Sequence, residues 1–170
     1  MRKTFAGELY KYMKKDDRIW LVVGDLGFGL FDDIRRDFPD RFLNTGAAEF
    51  TAAGICVGLA HEGKVPFFYS ITTFLLYRAF EMIRTQINHE KLNVKLIGSG
   101  RDRDYAHDGI SHWSDDAWRL FDPGGDCCNE PDGGLLPNIR VFWPEQKRSI
   151  PGIVKTMLET EDPCFLSLRR

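Results

Sequence analysis

Short runs of residues that are apolar at every position, separated by longer stretches of helical periodicity, constrain the fold of this chain more than any other feature. A strand that is apolar at consecutive positions is buried on both of its faces. The clearest such run is Ile19–Val23, which ends in Gly24-Asp25. Buried strands that alternate with helices predict an α/β fold, in which helices on both faces cover a mostly parallel sheet.

The predicted elements follow one another in this alternating order along the whole chain. A chain of 170 residues is long enough to bury one full core, so we predict a single domain over residues 1–170. Residues 122–134, "DPGGDCCNEPDGG", are rich in turn formers and predict an insertion loop. The predicted helices and strands are 3–15, Ile19–Val23, 47–62, Val65–Tyr69, 73–90, Val94–Ile97, Ile139–Phe142, 146–160 and Cys164–Leu168.

Composition argues against several classes of partner. The net charge of −2 gives no basic surplus for nucleic acid or for an anionic membrane. The chain has no run of about 20 apolar residues, and its first residues lack the apolar core of a signal peptide. We therefore expect a cytoplasmic protein. The four cysteines match neither a zinc ribbon nor a secreted disulfide framework, and we interpret them as reduced thiols: Cys56, Cys127, Cys128 and Cys164.

Parallel sheets of this kind bind ligands at the carboxyl ends of their strands. The loops that follow the predicted strands are therefore where functional side chains are expected. In this chain they cover residues 24–29, 44–49, 69–73 and 98–114.

Glu49 is the only charged residue between Asn44 and Ala60. It has two interpretations. An acidic residue in the first turn of a helix is favoured by the helix dipole without any further role. However, the helix that follows contains Ala52, Ala53 and Gly54, which predicts a buried helix approached closely by other backbone. An ionisable group at the head of a buried helix destabilises the fold unless it is paired, and this favours a functional acid.

Two further groups of residues stand at the predicted strand ends. Phe74, Tyr77 and Phe80 recur every third residue, which is typical of a core helix but also suits a stacking platform. The polar loop after residue 98 contains His107 and His112. Such a loop is either merely solvated, or able to bind a hydroxylated substrate and move protons.

A metal site built from His107 and His112 together with Cys127 and Cys128 is a weaker interpretation of the same residues. No CxxC or HExxH spacing supports it. We therefore predict no metal ligands on this chain.

Taken together, these segments resemble the pyrimidine-binding domain of the transketolase family, whose members use thiamine diphosphate. The resemblance is carried by several motifs in the same order, which span nearly the whole chain. They are Gly24–Gly27, Pro39–Phe50, Gly54–Ala60, Arg78–Arg84, Val94–Gly98, Asp108–His112 and Leu136–Arg140.

The resemblance implies a role for Glu49. In the family, the glutamate at this position hydrogen-bonds a ring nitrogen of the cofactor's aminopyrimidine and favours the imino tautomer, whose exocyclic nitrogen deprotonates the thiazolium carbon. A charge-assisted hydrogen bond in a buried site is strong enough to select one tautomer. The resemblance also implies that Asp25, in the Gly-Asp-Leu-Gly motif, contacts the cofactor.

The resemblance also implies which side chains surround the pyrimidine. Stacking on the ring falls to Phe74 and Tyr77, with either Ile71 or Phe80 as the third member, depending on a shift of one residue in the alignment.

Substrate contacts are implied in the same way. Asp108 and His112 match the pair that contacts the donor sugar's hydroxyls near the reacting carbon, so His112 is also a candidate catalytic residue. Arg2 and Arg169 match the arginines that hold a sugar phosphate, a task that suits the two-pronged guanidinium.

A full transketolase also has a domain that binds the diphosphate and Mg²⁺, and a carboxyl-terminal domain. We find the motifs of neither domain in this sequence. The resemblance therefore implies the smaller subunit of a split enzyme that transfers a two-carbon ketol unit between sugars or sugar phosphates. A separate diphosphate-binding subunit would hold Mg²⁺, in a heterotetramer of two copies of each chain, with the small-residue helix after Glu49 in the interface. Three alternatives stay open. The first is another thiamine diphosphate chemistry, such as deoxyxylulose phosphate synthesis or 2-oxoacid decarboxylation. The second is a non-catalytic binding module, and the third is a fragment of a longer enzyme.

Overall fold

A six-stranded parallel sheet forms the centre of the protein, with the strand order β2-β1-β3-β4-β6-β5. The computed structural model describes residues 1–121 and 134–170. The predicted α/β fold is confirmed. The strands are β1 (Ile19–Val23), β2 (Phe42–Asn44), β3 (Val65–Ile71), β4 (Lys95–Ser99), β5 (Arg140–Phe142) and β6 (Cys164–Leu168). Apart from Gly134, the predicted insertion loop over residues 122–134 lies outside the described residues, as do Cys127 and Cys128.

Helices cover both faces of this sheet, because alternate strand residues point to opposite sides. Leu21 faces a core that helices α1 and α5 complete with Phe5 and Val154. Its neighbour Val22 faces a second core that includes Ala52 of α3. The α-helices of the described residues are α1 (Arg2–Met13), α2 (Asp32–Asp37), α3 (Glu49–His61), α4 (Phe80–Met82) and α5 (Ile150–Glu159).

Parallel pairing brings the carboxyl ends of the central strands to one edge of the sheet. Val23 of β1 is in register with Asn44 of β2 and with Tyr69 of β3. One step further along, Ile71 of β3 is in register with Ser99 of β4. The loops that begin after these residues, where the sequence predicted functional side chains, are therefore neighbours in space.

Among the strands and α-helices of the described residues, two short ones were not predicted. Strand β2 has only three residues, two of which are exposed, so it leaves no apolar run in the sequence. Helix α2 has six residues, "DDIRRD", of which only Ile34 is buried. Both elements depend on contacts with the rest of the fold rather than on a local pattern.

The predicted helix over residues 73–90 is not regular. It consists of a π-helical segment, Phe74–Arg78, then α4, then a second π-helical segment, Ile83–Asn88. In a π-helical turn the hydrogen bond spans five residues instead of four, so positions four apart lie nearly above each other and positions three apart do not. Phe74 and Arg78 are therefore aligned, whereas Tyr77 turns to another side.

The described residues also bear on two expectations from composition. Cys56 and Cys164 are free, buried thiols, and burial raises the pKa of both. None of the helices in residues 1–121 and 134–170 has the length and apolar character needed to cross a membrane.

Candidate active site

Glu49 lies at the first position of α3, at the carboxyl edge of the sheet, and is 2% exposed. Its side chain does not cap its own helix. Instead, Oε1 accepts a hydrogen bond of 3.1 Å from Ser70 Oγ, and Oε2 accepts one of 3.0 Å from Arg78 Nη1. The carboxylate is thus buried and held at both oxygens, so the fold itself supplies the partners that a buried charge needs.

Gly24 makes this position of the carboxylate possible. A Cβ at residue 24 would lie 3.2 Å from Glu49 Oε1 and 3.2 Å from Ser70 Oγ, closer than ordinary van der Waals contact. Gly24 directly follows β1, and its N–H donates to the carbonyl of Tyr69 in the neighbouring strand β3. Gly24, which follows the first strand, therefore leaves room for the carboxylate of Glu49.

Phe74 stands beside this pair and connects it to the polar loop after β4. The guanidinium carbon of Arg78 lies 3.6 Å from the centre of the Phe74 ring, a cation–π contact. On another side, the ring of His112 meets Phe74 edge-on, with 4.7 Å between the ring centres. His112 Nδ1 shares a hydrogen bond of 2.9 Å with Ser111 Oγ, and the carbonyl of Ser111 accepts one from Thr73. These bonds tie the polar loop to the start of the π-helical segment.

Tyr105 extends this line of contacts to the start of α1. Its ring centre lies 6.1 Å from that of His112, and its hydroxyl shares a hydrogen bond of 3.1 Å with Ser99. Arg2 Nη1 donates to the same hydroxyl at 3.3 Å. Gly100 has a positive φ of 82°, and an added Cβ there would clash with the Tyr105 ring. Arg2 and His112, far apart in the sequence, are therefore brought together through Tyr105.

The predicted stacking residues are not all on one surface. Tyr77 is 41% exposed, and its hydroxyl donates to Asp116 Oδ1 at 2.5 Å. Partial burial, and next the bond to Asp116, raise the pKa of Tyr77 above its ordinary value. Phe80 packs against the core beneath α3, whereas Ile71 ends β3 at the edge where Glu49 lies. Of the two candidates for the third stacking residue, the surroundings favour Ile71.

The remaining predicted acids lie on exposed turns. Asp25 has a positive φ of 41°, and its N–H donates to the Asn44 side chain at 3.3 Å. Asp108 ends a short 3₁₀ turn, where its Oδ2 lies 3.1 Å from His107 Nε2.

Arg169 has a different environment from Arg2. Its guanidinium lies 3.2 Å from Asp102 and 3.8 Å from both Asp104 and Glu145. Three carboxylates already balance its charge, which disfavours Arg169 as a phosphate ligand. Arg2 contacts a neutral phenol instead and is the stronger candidate of the two.

Three residues of the site have no assigned role in the sequence analysis: Arg78, Ser70 and Tyr105. Ser70 lies in the loop that follows a predicted strand, and Arg78 lies in the Arg78–Arg84 motif of the family resemblance, so these positions were the available signals for the two residues. Within residues 1–121 and 134–170, no group of three or more His, Cys, Asp or Glu residues is arranged to hold a metal ion. The weaker metal interpretation includes Cys127 and Cys128, which lie outside that part.

Comparison with known proteins gives a consistent result. The 6-deoxy-6-sulfo-D-fructose transketolase subunit SqwH of Clostridium sp. (strain MSTE9) is 26% identical over 171 residues, covering 100% of this chain and 49% of that protein. An apulose-4-phosphate transketolase subunit of Phocaeicola vulgatus is 27% identical over 170 residues, covering 99% of this chain and 51% of that protein. The chain therefore spans about half the length of these curated relatives.

A solved structure gives the same match. It is described as a split gene transketolase, inactive beta4 tetramer, and it superposes with a TM-score of 0.78 at 31% identity, covering 99% of this chain and 51% of that one. The family model described as transketolase, pyrimidine binding domain, matches residues 1–170. With Glu49 buried at the carboxyl edge of a parallel sheet and a family match over its whole length, the chain belongs to the family of transketolase pyrimidine-binding domains.

Proposed function

We propose that this chain is the pyrimidine-binding subunit of a thiamine diphosphate-dependent, transketolase-like enzyme that transfers a two-carbon ketol unit between sugars or sugar phosphates. The observation that carries this function is the Glu49 carboxylate, which is buried at the sheet edge and paired on both oxygens. The relatives named as transketolase subunits support the same reaction class.

The residues of the site fit an aminopyrimidine. A buried carboxylate and an aromatic face lie side by side, and the planar, cationic head of Arg78 bridges them in this structure. A group that contacts both must be flat and must donate a hydrogen bond, and an aminopyrimidine protonated on its ring nitrogen has both properties. Thiamine diphosphate, when bound, supplies the carbanion chemistry that breaks and forms the carbon–carbon bond.

The roles of the chain's own residues follow from their positions. Glu49 accepts a hydrogen bond from the ring nitrogen, and Ser70 Oγ orients its carboxylate. Phe74 stacks on the pyrimidine, and His112, which packs against Phe74, reaches the donor sugar near the reacting carbon. Arg2 binds the phosphate at the far end of a phosphorylated substrate.

A partner chain is part of the same proposal. The diphosphate and Mg²⁺ would be held by a separate transketolase-like subunit, in a heterotetramer. Two relatives are themselves named as transketolase subunits, which supports a partner chain. The carboxyl edge offers apolar surface for such a contact, since Phe28 is 74% exposed and Ile110 is 80% exposed. Single exposed apolar residues are ordinary, but two large ones on loops beside one candidate site favour an interface.

Calorimetric titration tests this assignment. Thiamine diphosphate with Mg²⁺ is titrated into this chain, into a diphosphate-binding transketolase subunit from the same genome, and into their mixture. We expect the mixture to bind at least about 10-fold more tightly than either chain alone, which corresponds to about 1.4 kcal/mol. Binding by this chain alone that equals binding by the mixture would contradict a site shared between two subunits.

A further inference from the structure

Arg78 stands where the proposed function places the cofactor's aminopyrimidine. Its Nη1 donates to Glu49 Oε2 at 3.0 Å, while its guanidinium carbon lies 3.6 Å from the centre of the Phe74 ring. In the proposed function, the Glu49 carboxylate and the Phe74 ring are the two groups that bind the pyrimidine. Within the described residues, Arg78 is the one cationic side chain within 4.0 Å of the Glu49 carboxylate.

The chemistry of the two groups is closely matched. A guanidinium is planar and delocalised, carries N–H donors along its edge, and binds aromatic faces. A protonated aminopyrimidine presents the same combination of a flat π-system and adjacent N–H donors. A site that satisfies one of these groups with a carboxylate and a phenyl ring will satisfy the other in the same way.

We propose that Arg78 is an internal surrogate for the aminopyrimidine: it occupies the site before the cofactor binds, and it is displaced by the cofactor. This inference rests on the proposed function. It assigns Arg78 a positioning role, because its contact with Glu49 holds the carboxylate in place until the cofactor replaces it.

Burial explains why the site needs a surrogate. Glu49 is 2% exposed, and a buried carboxylate without a partner destabilises the fold. The side chain of Arg78 is 46% exposed, so Arg78 is the outer member of the pair. Its charged head can turn into water, where ion pairs contribute little, while its methylene stem stays against the protein.

The irregular helix supports the same inference. Arg78 is the last residue of the π-helical segment that begins at Phe74. Positions 74 and 78 of this segment lie on one face, with the guanidinium carbon 3.6 Å from the ring centre. Such segments are rare and are frequent at functional sites.

The pair between Arg78 and Glu49 is expected to lower the apparent affinity for the cofactor. A ligand that must displace an existing pair binds with an apparent affinity lowered by the free energy of that pair. Because Arg78 is exposed but Glu49 is buried, we take the upper end of the range for exposed pairs, about 1 kcal/mol, and expect its removal to tighten binding by about 5-fold.

Binding of 4-amino-5-hydroxymethyl-2-methylpyrimidine, the pyrimidine half of the cofactor, tests the inference on the full chain without the diphosphate subunit. NMR titration gives its Kd for the wild type, Arg78→Met and Arg78→Lys. We expect Arg78→Met to bind about 5-fold more tightly than the wild type, and Arg78→Lys to lie between them, because an ammonium can pair with Glu49 but cannot lie flat on Phe74. Arg84→Met is the matched control, since Arg84 is an exposed arginine of the same helical stretch, and its Kd should not change.

Two outcomes separate this inference from the proposed function. Equal or weaker binding by Arg78→Met, with binding still lost in Glu49→Gln, would overturn the surrogate role and leave the pyrimidine site intact. Binding by Glu49→Gln, titrated in the same way, at the wild-type Kd would contradict both the surrogate role and the proposed pyrimidine site. If Arg84→Met tightened binding as much as Arg78→Met does, the effect would be one of net charge. That result would also overturn the surrogate role.

Discussion

Replacing Glu49 with glutamine is expected to lower the turnover of the assembled enzyme by about 10³-fold. Glutamine has nearly the same shape, and its amide oxygen can still accept from Ser70 or Arg78. It cannot carry the negative charge that stabilises a protonated ring nitrogen. The measurement is the rate of hydroxypyruvate consumption, with an aldose acceptor, by the chain combined with the proposed diphosphate-binding subunit.

The control for this substitution is Glu62→Gln, which removes the same charge at the other end of α3, where the side chain is exposed. We expect its turnover to match the wild type. Thermal unfolding of both variants shows whether the fold is kept. A Glu49→Gln enzyme that is folded and retains wild-type turnover would exclude Glu49 as the activating acid.

Replacing Arg101 with methionine is expected to lower the free energy of unfolding by about 3 kcal/mol, because several buried acceptors lose a charged donor at once. Arg101 is the second residue after β4 and is 1% exposed. Its guanidinium donates to Glu145 at 2.9 Å, to the carbonyl of Pro144 at 2.8 Å, and to both the hydroxyl and the carbonyl of Ser167. Without the guanidinium these buried acceptors lose their donors, whereas Glu145, 68% exposed, can turn to water.

Chemical denaturation of the two proteins measures this difference. The matched control is Arg103→Met, in the same loop, because Arg103 is 59% exposed and pairs with Asp115 at the surface. We expect a loss below about 1 kcal/mol there. Equal losses for Arg101→Met and Arg103→Met would contradict the anchoring role of Arg101 in the loop that carries His112.

Most of the fold could be predicted from the sequence because its central strands are buried on both faces. Strands such as Ile19–Val23 and Cys164–Leu168 are apolar runs, and the structure places them at the predicted residues. Strand β2 could not be found in the same way, because it is short, lies at the sheet edge and leaves two of its residues exposed. Its pairing with β1 is a property of the folded chain.

The candidate site was predictable in part for a related reason. Glu49 stood out because a charge among small apolar residues needs a partner. The identity of that partner was not visible, since Arg78 lies 29 positions away in sequence and meets Glu49 only in the folded chain. Likewise, the 103 positions between Arg2 and Tyr105 hide their hydrogen bond from any local pattern. Side-chain pairs that the fold alone brings together have no signature in a single sequence.

The central claim is that the Glu49 carboxylate activates the cofactor through its aminopyrimidine. Hydrogen–deuterium exchange at the thiazolium C2 of thiamine diphosphate bound to the assembled enzyme, measured by acid quench and NMR, tests it without any substrate. We expect exchange in Glu49→Gln to be about 10³-fold slower than in the wild type, with the cofactor bound in both. Exchange at the wild-type rate in a fully loaded Glu49→Gln enzyme would contradict the claim.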